Sequence, residues 1–451
     1  MRKGKKGSLT IFLAWTSLLF LTFCLVLMEG VRNYYLRVKA AQAMELTEIS
    51  VLSEYQQELF EQYGVFFVDL DYELGTESVS VLEQRADNYL IVNAEETVTE
   101  TVRADEFRRA TDFGGQPFFA QAVEIMKVKN GYKIFEELIE SAGSLTDESV
   151  NLEEILENQQ SAAEGNLGEC VDEQGEPLFK VSLPDVSFPS IGLLRKAVFG
   201  SKTGLSQKTI NLSERIGKRA LVQGTGIQDP PGVADMQLFH SYIFEHCNFY
   251  GAKDSRKWKE SLEYQIEYIV SGKESDLKNL ENIMWRIFLL RASGNYLFFH
   301  QDAGRMAAAE AVAVAIAGIT GNGALIKAVR ELILISQAIE EGITETKRVF
   351  EGEKVPLYRS GIFQGIMIGY EEYLYLFLNT TNQTDKIYRC MDIVEMEVQK
   401  KSEYEKLRMD HCVDAFQLQW EYRFDSLFLK IPFMNGSVYK NTIIREICYE
   451  K

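Results

Sequence analysis

Prolines are few in this sequence, 8 in 451 residues, while 46% of positions are hydrophobic and 12% aromatic. That composition can bury a large core and excludes an intrinsically disordered chain. Histidine is scarcer still, and His240, His246, His300 and His411 are the full set. Only the first two are near neighbours, and a spacing of six puts them on different faces of a helix, so no metal site is expected. The six cysteines (Cys24, Cys170, Cys247, Cys390, Cys412, Cys448) form no CxxC pair and follow no regular spacing, which excludes a zinc ribbon or a disulfide framework. Five lie outside the apolar N-terminal segment, an odd number that cannot all pair within the chain. A pair such as Cys412 with Cys448 can form, but buried thiols are the expected state.

The short catalytic motifs are missing as well: there is no P-loop, no dinucleotide-binding glycine motif ahead of a helix, no HExxH and no GxSxG. Carboxylates are abundant, yet adjacent pairs such as Glu340 with Glu341 or Glu371 with Glu372 point apart on a helix. No catalytic residue, cofactor site or enzymatic activity is expected. Basic clusters are confined to the start. Arg2, Lys3, Lys5 and Lys6 supply four positive charges, so the remainder carries −22 against −18 for the whole chain. Without clustered Lys and Arg to replace condensed counterions, nucleic acid is not an expected partner.

What the sequence does contain is one long apolar run. Ser8 to Met28 is 21 residues without a charge, about the thickness of a bilayer's hydrocarbon core as a helix. It exceeds the usual apolar core of a secretory signal and ends Leu27-Met28-Glu29-Gly30-Val31 without a small-residue cleavage site. A short basic tail before it and a long domain after it place the N-terminus in the cytoplasm and the body outside, although Arg32, Arg37 and Lys39 follow closely. From Glu29 to Tyr63 there is no proline and one glycine, so the helix is expected to continue out of the membrane. Leu36, Ala40, Ala43, Leu46, Ile49, Leu52, Leu59 and Tyr63 form its packing stripe, and Gly64 forms its stop.

The periodicity then predicts an α+β body of antiparallel strands and a large helical portion, divided as 1–30 (tail and anchor), 31–64 (stalk helix), 65–145 (a first α+β part), 146–231 (a linker or insertion) and 232–451 (a helix-rich α+β part). Val65 to Asp69 reads as a buried strand and Val79 to Asn93 as a helix. Glu95 to Val102 alternates as an exposed-face strand, and Gln116 to Ser144 is helix-rich. Thr146 to Pro231 is first acidic, then rich in Pro, Gly and Ser. Met236 to Phe249 reads as a helix, Glu260 to Val270 as a strand, and Asp276 to Phe299 and Leu325 to Phe350 as long helices. Ala307 to Thr320 is too short to favour a second span over a buried core helix. Tyr370 to Asn379 and Lys386 to Glu405 read as helices, and Ala415 to Leu429 with Val438 to Tyr449 as a C-terminal β-hairpin. The aromatic runs Phe118-Phe119, Phe298-Phe299 and Tyr370 to Phe377 are expected in the core, a ligand groove being the other reading.

Several residues together carry a resemblance. They are Gly7-Ser8-Leu9-Thr10-Ile11-Phe12-Leu13 leading into the apolar helix, Glu29 and Arg32 just after it, Ser53-Glu54-Tyr55 and Tyr63-Gly64-Val65-Phe66. Further on come Tyr264 to Lys273, Leu289-Leu290-Arg291 with Asn295, and Gly352 to Leu357. The chain resembles the TadE/TadG-like pseudopilin proteins of Gram-positive bacteria, specifically the large members found with Tad (tight adherence, Flp-type) pilus systems. The resemblance implies a non-catalytic part in assembling or tethering a Tad-type pilus or related secretion apparatus, with other apparatus proteins as partners. It brings no functional residues to transfer. Pilins cut by prepilin peptidase carry Glu at the fifth position after the cleaved Gly, whereas cleavage after Gly7 would put Phe12 there, so Gly7 is expected to stay uncut. The alternative is a membrane-tethered extracytoplasmic binding or sensor module.

Overall fold

The computed structural model describes residues 6–71, 77–129, 151–168, 180–200, 204–227, 235–252, 261–357, 366–428 and 438–449. The fold is α+β, and the chain divides into two units, one formed by residues 1–122, 220–234 and 394–451, the other by 123–219 and 235–393.

The first unit is built on a single helix, α1 (Lys6–Leu52), 47 residues long, followed by a short α2 (Gln57–Tyr63). Strands β1 (Val68–Asp69), β2 (Val98–Arg109), β5 (Cys412–Asp425) and β6 (Val438–Cys448) form one antiparallel sheet with β5 at its centre. β5 alternates strictly. Phe416, Leu418, Trp420, Tyr422 and Phe424 are buried on one face, and Gln417, Gln419, Glu421 and Arg423 are on the other, as period-two side chains require. The buried face meets Leu36, Ala40, Ala43, Met44 and Val51 of α1 and Leu82, Ala86 and Leu90 of α3 (Val79–Asn93). Each large aliphatic side chain so buried stabilises the fold by about 1.5–3 kcal/mol.

Three sequence expectations are corrected in this unit. The stalk helix does not run unbroken to Tyr63. It stops at Leu52 because the Gln56 N–H donates to the Phe67 carbonyl at 2.8 Å while the Gln56 side chain caps the next helix at the Leu59 N–H, 2.6 Å. Gly64 does end α2, at φ 73, a left-handed conformation suited to glycine. The buried stripe also differs, since Leu46 and Ile49 are exposed and Met44, Thr47 and Val51 take their place. Between Val65 and Asp69 only Val68 and Asp69 pair as strand, although Val65 and Phe67 are buried. The C-terminal hairpin does form, its turn lying outside the described residues. Because β5 pairs with β1 and β2 as well as β6, it shares a sheet with the 65–145 part, so the stretch from 232 to 451 is not one structural part.

The second unit is helical. A long pair, α9 (Asp276–Gln301) and α11 (Gly323–Phe350), forms its middle, with α5 (Leu152–Gly168), α6 (Ile191–Phe199) and α10 (Ala303–Ala317) packed on α11. At Gly342 the two long helices approach so closely that a Cβ there would lie 3.0 Å from the Ala292 backbone nitrogen. The remaining elements of this unit include α7 (Met236–His246), α8 (Gln265–Ser271), the antiparallel two-residue strands β3 (Val355–Pro356) and β4 (Met367–Ile368), α12 (Tyr370–Thr380) and the first part of α13 (Gln383–Val398).

Corrections apply here too. The stretch 146–231, expected as a linker or insertion, holds two packed helices, α5 and α6. Of Glu260 to Val270, expected as a strand, residues 265–270 are helical. All six are buried, so no polar face marks the period, and Gly272 closes the helix at φ 64. α10 is not a buried core helix, since it buries only Ala309, Ala313 and Ala317 and leaves Val312 and Val314 about half exposed. Of the helix-rich 116–144 stretch the described part is α4 (Asp112–Val128), and α13 ends at Val398 rather than Glu405.

Candidate functional site

The feature with most consequence for function is α1. From Leu9 to Met28 its apolar side chains, apart from half-buried Cys24 and Leu25, are exposed, Trp15, Leu19 and Phe20 each by more than 65%. The helix is long and apolar enough to be a candidate membrane span. Two of its hydroxyls bond within the helix: that of Thr16 donates to the Phe12 and Leu13 carbonyls at 3.0 Å, and that of Thr22 donates to the Leu19 carbonyl at 2.9 Å, as a hydrocarbon environment favours.

Where the apolar run ends, the helix is fastened to the sheet. Glu29, 1% exposed, accepts the backbone N–H groups of Leu427 (3.1 Å) and Phe428 (2.8 Å), just beyond β5. One turn on, Arg32 donates to the Asp425 carbonyl at 2.8 Å and lies 3.7 Å from Glu29. These charge-assisted bonds fix the end of the hairpin at the point where the chain leaves the apolar segment.

Beyond that point α1 has two apolar faces. One packs on β5. The opposite one carries Val31, Tyr35, Val38, Leu46 and Ile49, with Tyr34 beside them, all exposed. At 3.6 residues per turn these positions line up in one stripe directly away from Leu36, Ala40, Met44, Thr47 and Val51. Its first part, Val31, Tyr35 and Val38, continues the apolar surface of the membrane segment, and exposed Gln42 and Glu45 on the same face separate that part from Leu46 and Ile49.

Elsewhere the residues singled out in the sequence serve packing. His240 is buried with its Nε2 2.7 Å from Lys386 Nζ, and His246 packs on Tyr242 with ring centroids 4.4 Å apart. His300 lies 2.9 Å from Glu331, and His411 lies 2.7 Å from Asp71. Among the described residues no three His, Cys, Asp or Glu side chains gather as a metal site. Phe118, Phe119, Phe299 and Tyr370 to Phe377, apart from Glu371 and Glu372, are buried. No disulfide joins the described cysteines, so Cys412 and Cys448 stay unbridged. The Glu372 carboxylate accepts the Gly369 N–H at 2.9 Å and pairs with Lys354, while Glu371, Glu340 and Glu341 form no common site. Several of the resemblance-bearing segments converge. Arg291 is buried against Glu345 at 2.7 Å, Asn295 donates to the same carboxylate at 2.8 Å, and Arg291 also donates to the Pro356 and Leu357 carbonyls at 2.7 Å.

Two buried ionisable groups give no sequence signal. Burial pushes the Lys386 amine down to about 8. It also pushes Glu267 up to about 7, against hydrogen bonds from the Tyr370 hydroxyl (2.6 Å) and the Tyr250 N–H (2.8 Å) that favour its charged form. Glu267 lies on α8 and Lys386 on α13.

The model of one family, described as a family of unknown function (DUF5702), matches residues 189–362 and 364–424, more than half of the chain. No curated protein and no solved structure matches.

Proposed function

The chain belongs to this family, DUF5702, and from its architecture together with its resemblance to the TadE/TadG-like proteins we propose that it is a membrane-anchored, non-catalytic assembly component, pseudopilin-like, of a Tad-type pilus or related secretion apparatus. The basic tail stays in the cytoplasm, α1 crosses the membrane once, and the body lies outside. The observation that carries this reading is the outer stripe of α1. An apolar face left uncovered on a helix that emerges from a bilayer calls for a partner of the same kind. Because the first part of the stripe, Val31 to Val38, adjoins the membrane segment, the partner that covers it lies alongside, as the anchor helix of another subunit emerging from the same membrane. The fastening at Glu29 and Arg32 makes the anchor and the sheet one lever, so force or position at the membrane is passed to the body.

The test is a photoreactive amino acid placed at Leu46 or Ile49 in living cells, followed by identification of the captured neighbours. Capture of pilus or secretion subunits through their own membrane-proximal helices is the expected result. Capture of nothing at either position, while the protein is present in the membrane, contradicts the assembly role. The other reading, a membrane-tethered binding module, is favoured by a cavity in the helical unit.

A further inference from the structure

That cavity has a volume of about 640 Å³, within the range of small-molecule sites, roughly 300–1,000 Å³. One wall is a face of α9 on which Arg286, Leu289, Leu290 and Ser293 follow one another at helical spacing. The end of α12 and the start of α13 also line it, with Leu376, Phe377, Asp385 and Arg389, as does the start of α5, with Leu152 and Glu153; Asp385 pairs with Arg389. Its two arginines are used differently. Arg389 is held in place, donating to the Ile269 and Val270 carbonyls at 3.0 Å and to Asp385 at 3.3 Å. Its guanidinium also passes 2.7 Å from where a Cβ on Gly272 would stand, so a larger residue there would push it aside.

Arg286 has no such arrangement. Its guanidinium lies over the Phe377 ring, 5.7 Å from the centroid, and among the described residues no carboxylate or carbonyl accepts from it. Burial and the neighbouring Arg389 cation both push its ionisation down from the usual arginine range. A guanidinium has five N–H donors in a planar fork. Stacking on a ring satisfies its face and leaves the fork free. A chain with a surplus of 18 negative charges has carboxylates in plenty, yet none of the described ones neutralises this cation.

We propose that the cavity binds a carboxylate attached to an apolar group, with the carboxylate forked on Arg286 and the apolar group lying on Leu289, Leu290 and Leu376. A single available guanidinium matches a monoanion. The shared chemistry belongs equally to the C-terminus of an apolar peptide and to a fatty acid, both of which are at hand outside a membrane. This assignment does not depend on the assembly role, and it concerns a unit separate from α1.

The experiment is calorimetric titration of the full chain in lipid nanodiscs with acetylated apolar tripeptides, each as free acid and as C-terminal amide, and with decanoate. Inorganic phosphate serves as a competitor. Free acids are expected to bind at least about tenfold more tightly than the matching amides, the loss of one charge-assisted fork. Tighter binding of peptide acids or of decanoate identifies the source. Arg286→Gln is expected to abolish the acid preference with unaltered thermal unfolding, and Arg286→Lys to retain part of it. Equal binding of acids and amides, displacement by phosphate at lower concentration than by any carboxylate, or no binding of any free acid at millimolar concentration overturns the proposal. The acid–amide comparison on the unaltered chain decides the matter even where a variant fails to fold.

Discussion

At Glu267 burial works against charge, and the consequence is a pH dependence of stability with a definite sign. Its carboxyl is raised from an ordinary 4.5 to about 7 in the fold, so between those values the folded state holds the proton that the unfolded chain has released. Stability from this group is therefore complete below about pH 4.5 and is lost as pH rises through 7. Glu267→Gln is expected to raise the melting temperature at pH 8 and to change it little at pH 4.5. A shift of equal size at both pH values would contradict the assignment. Arg291 is the opposite case, a buried cation fully compensated by Glu345 and two carbonyls. Removing it strands a buried carboxylate, so Arg291→Ala is expected to cost about 3–5 kcal/mol. Arg291→Ala with Glu345→Ala should recover part of that loss in denaturant unfolding. Neither environment was legible in the sequence. Glu267 sits in an alternating stretch and Arg291 on an ordinary amphipathic helix, and their partners lie up to about a hundred residues away.

Among elements, several of those read correctly have a single buried face, although the Tyr370 to Asn379 helix was legible while buried almost all round. Val79 to Asn93, the two long helices and the C-terminal hairpin each present one apolar side at a clear period, and their limits match within a few residues. Where an element is buried all round, as at Gln265 to Val270, the period disappears and the residues read as a strand. Where a break is made by a tertiary bond, as at Gln56 with Phe67, no local signal marks it. α1 fails in a more informative way. Leu46 and Ile49 were assigned to the packing stripe because they are apolar at helical spacing, but a helix with two apolar faces offers two consistent stripes. The one that packs is set by the sheet. That ambiguity is also the clue to the second face. Leu46→Asp with Ile49→Asp touches only exposed positions, so it is expected to leave thermal unfolding and membrane fractionation unchanged while eliminating crosslinks from a photoreactive residue at Tyr35. A loss of folding would show instead that the stripe is covered within the chain itself.

For the whole molecule, α+β class and the long N-terminal apolar helix were legible, since composition and a 21-residue uncharged run are properties of the chain alone. The division into units was not. β5 returns across more than 300 residues to pair with β1 and β2, and β6 pairs with β5, an arrangement no local composition announces. The segment that looked like a linker because of its prolines carries two helices of the second unit. The cavity with Arg286 was equally hidden, its walls coming from segments more than 80 residues apart.

The topology on which the assembly role rests can be tested directly at Ser402, which is exposed and lies in the same unit as α1. Ser402→Cys would be treated with a membrane-impermeant maleimide in intact cells and in lysate, each against the unaltered chain. Equal labelling before and after lysis is the predicted result. Labelling only after lysis would place the body in the cytoplasm and contradict an extracytoplasmic assembly component.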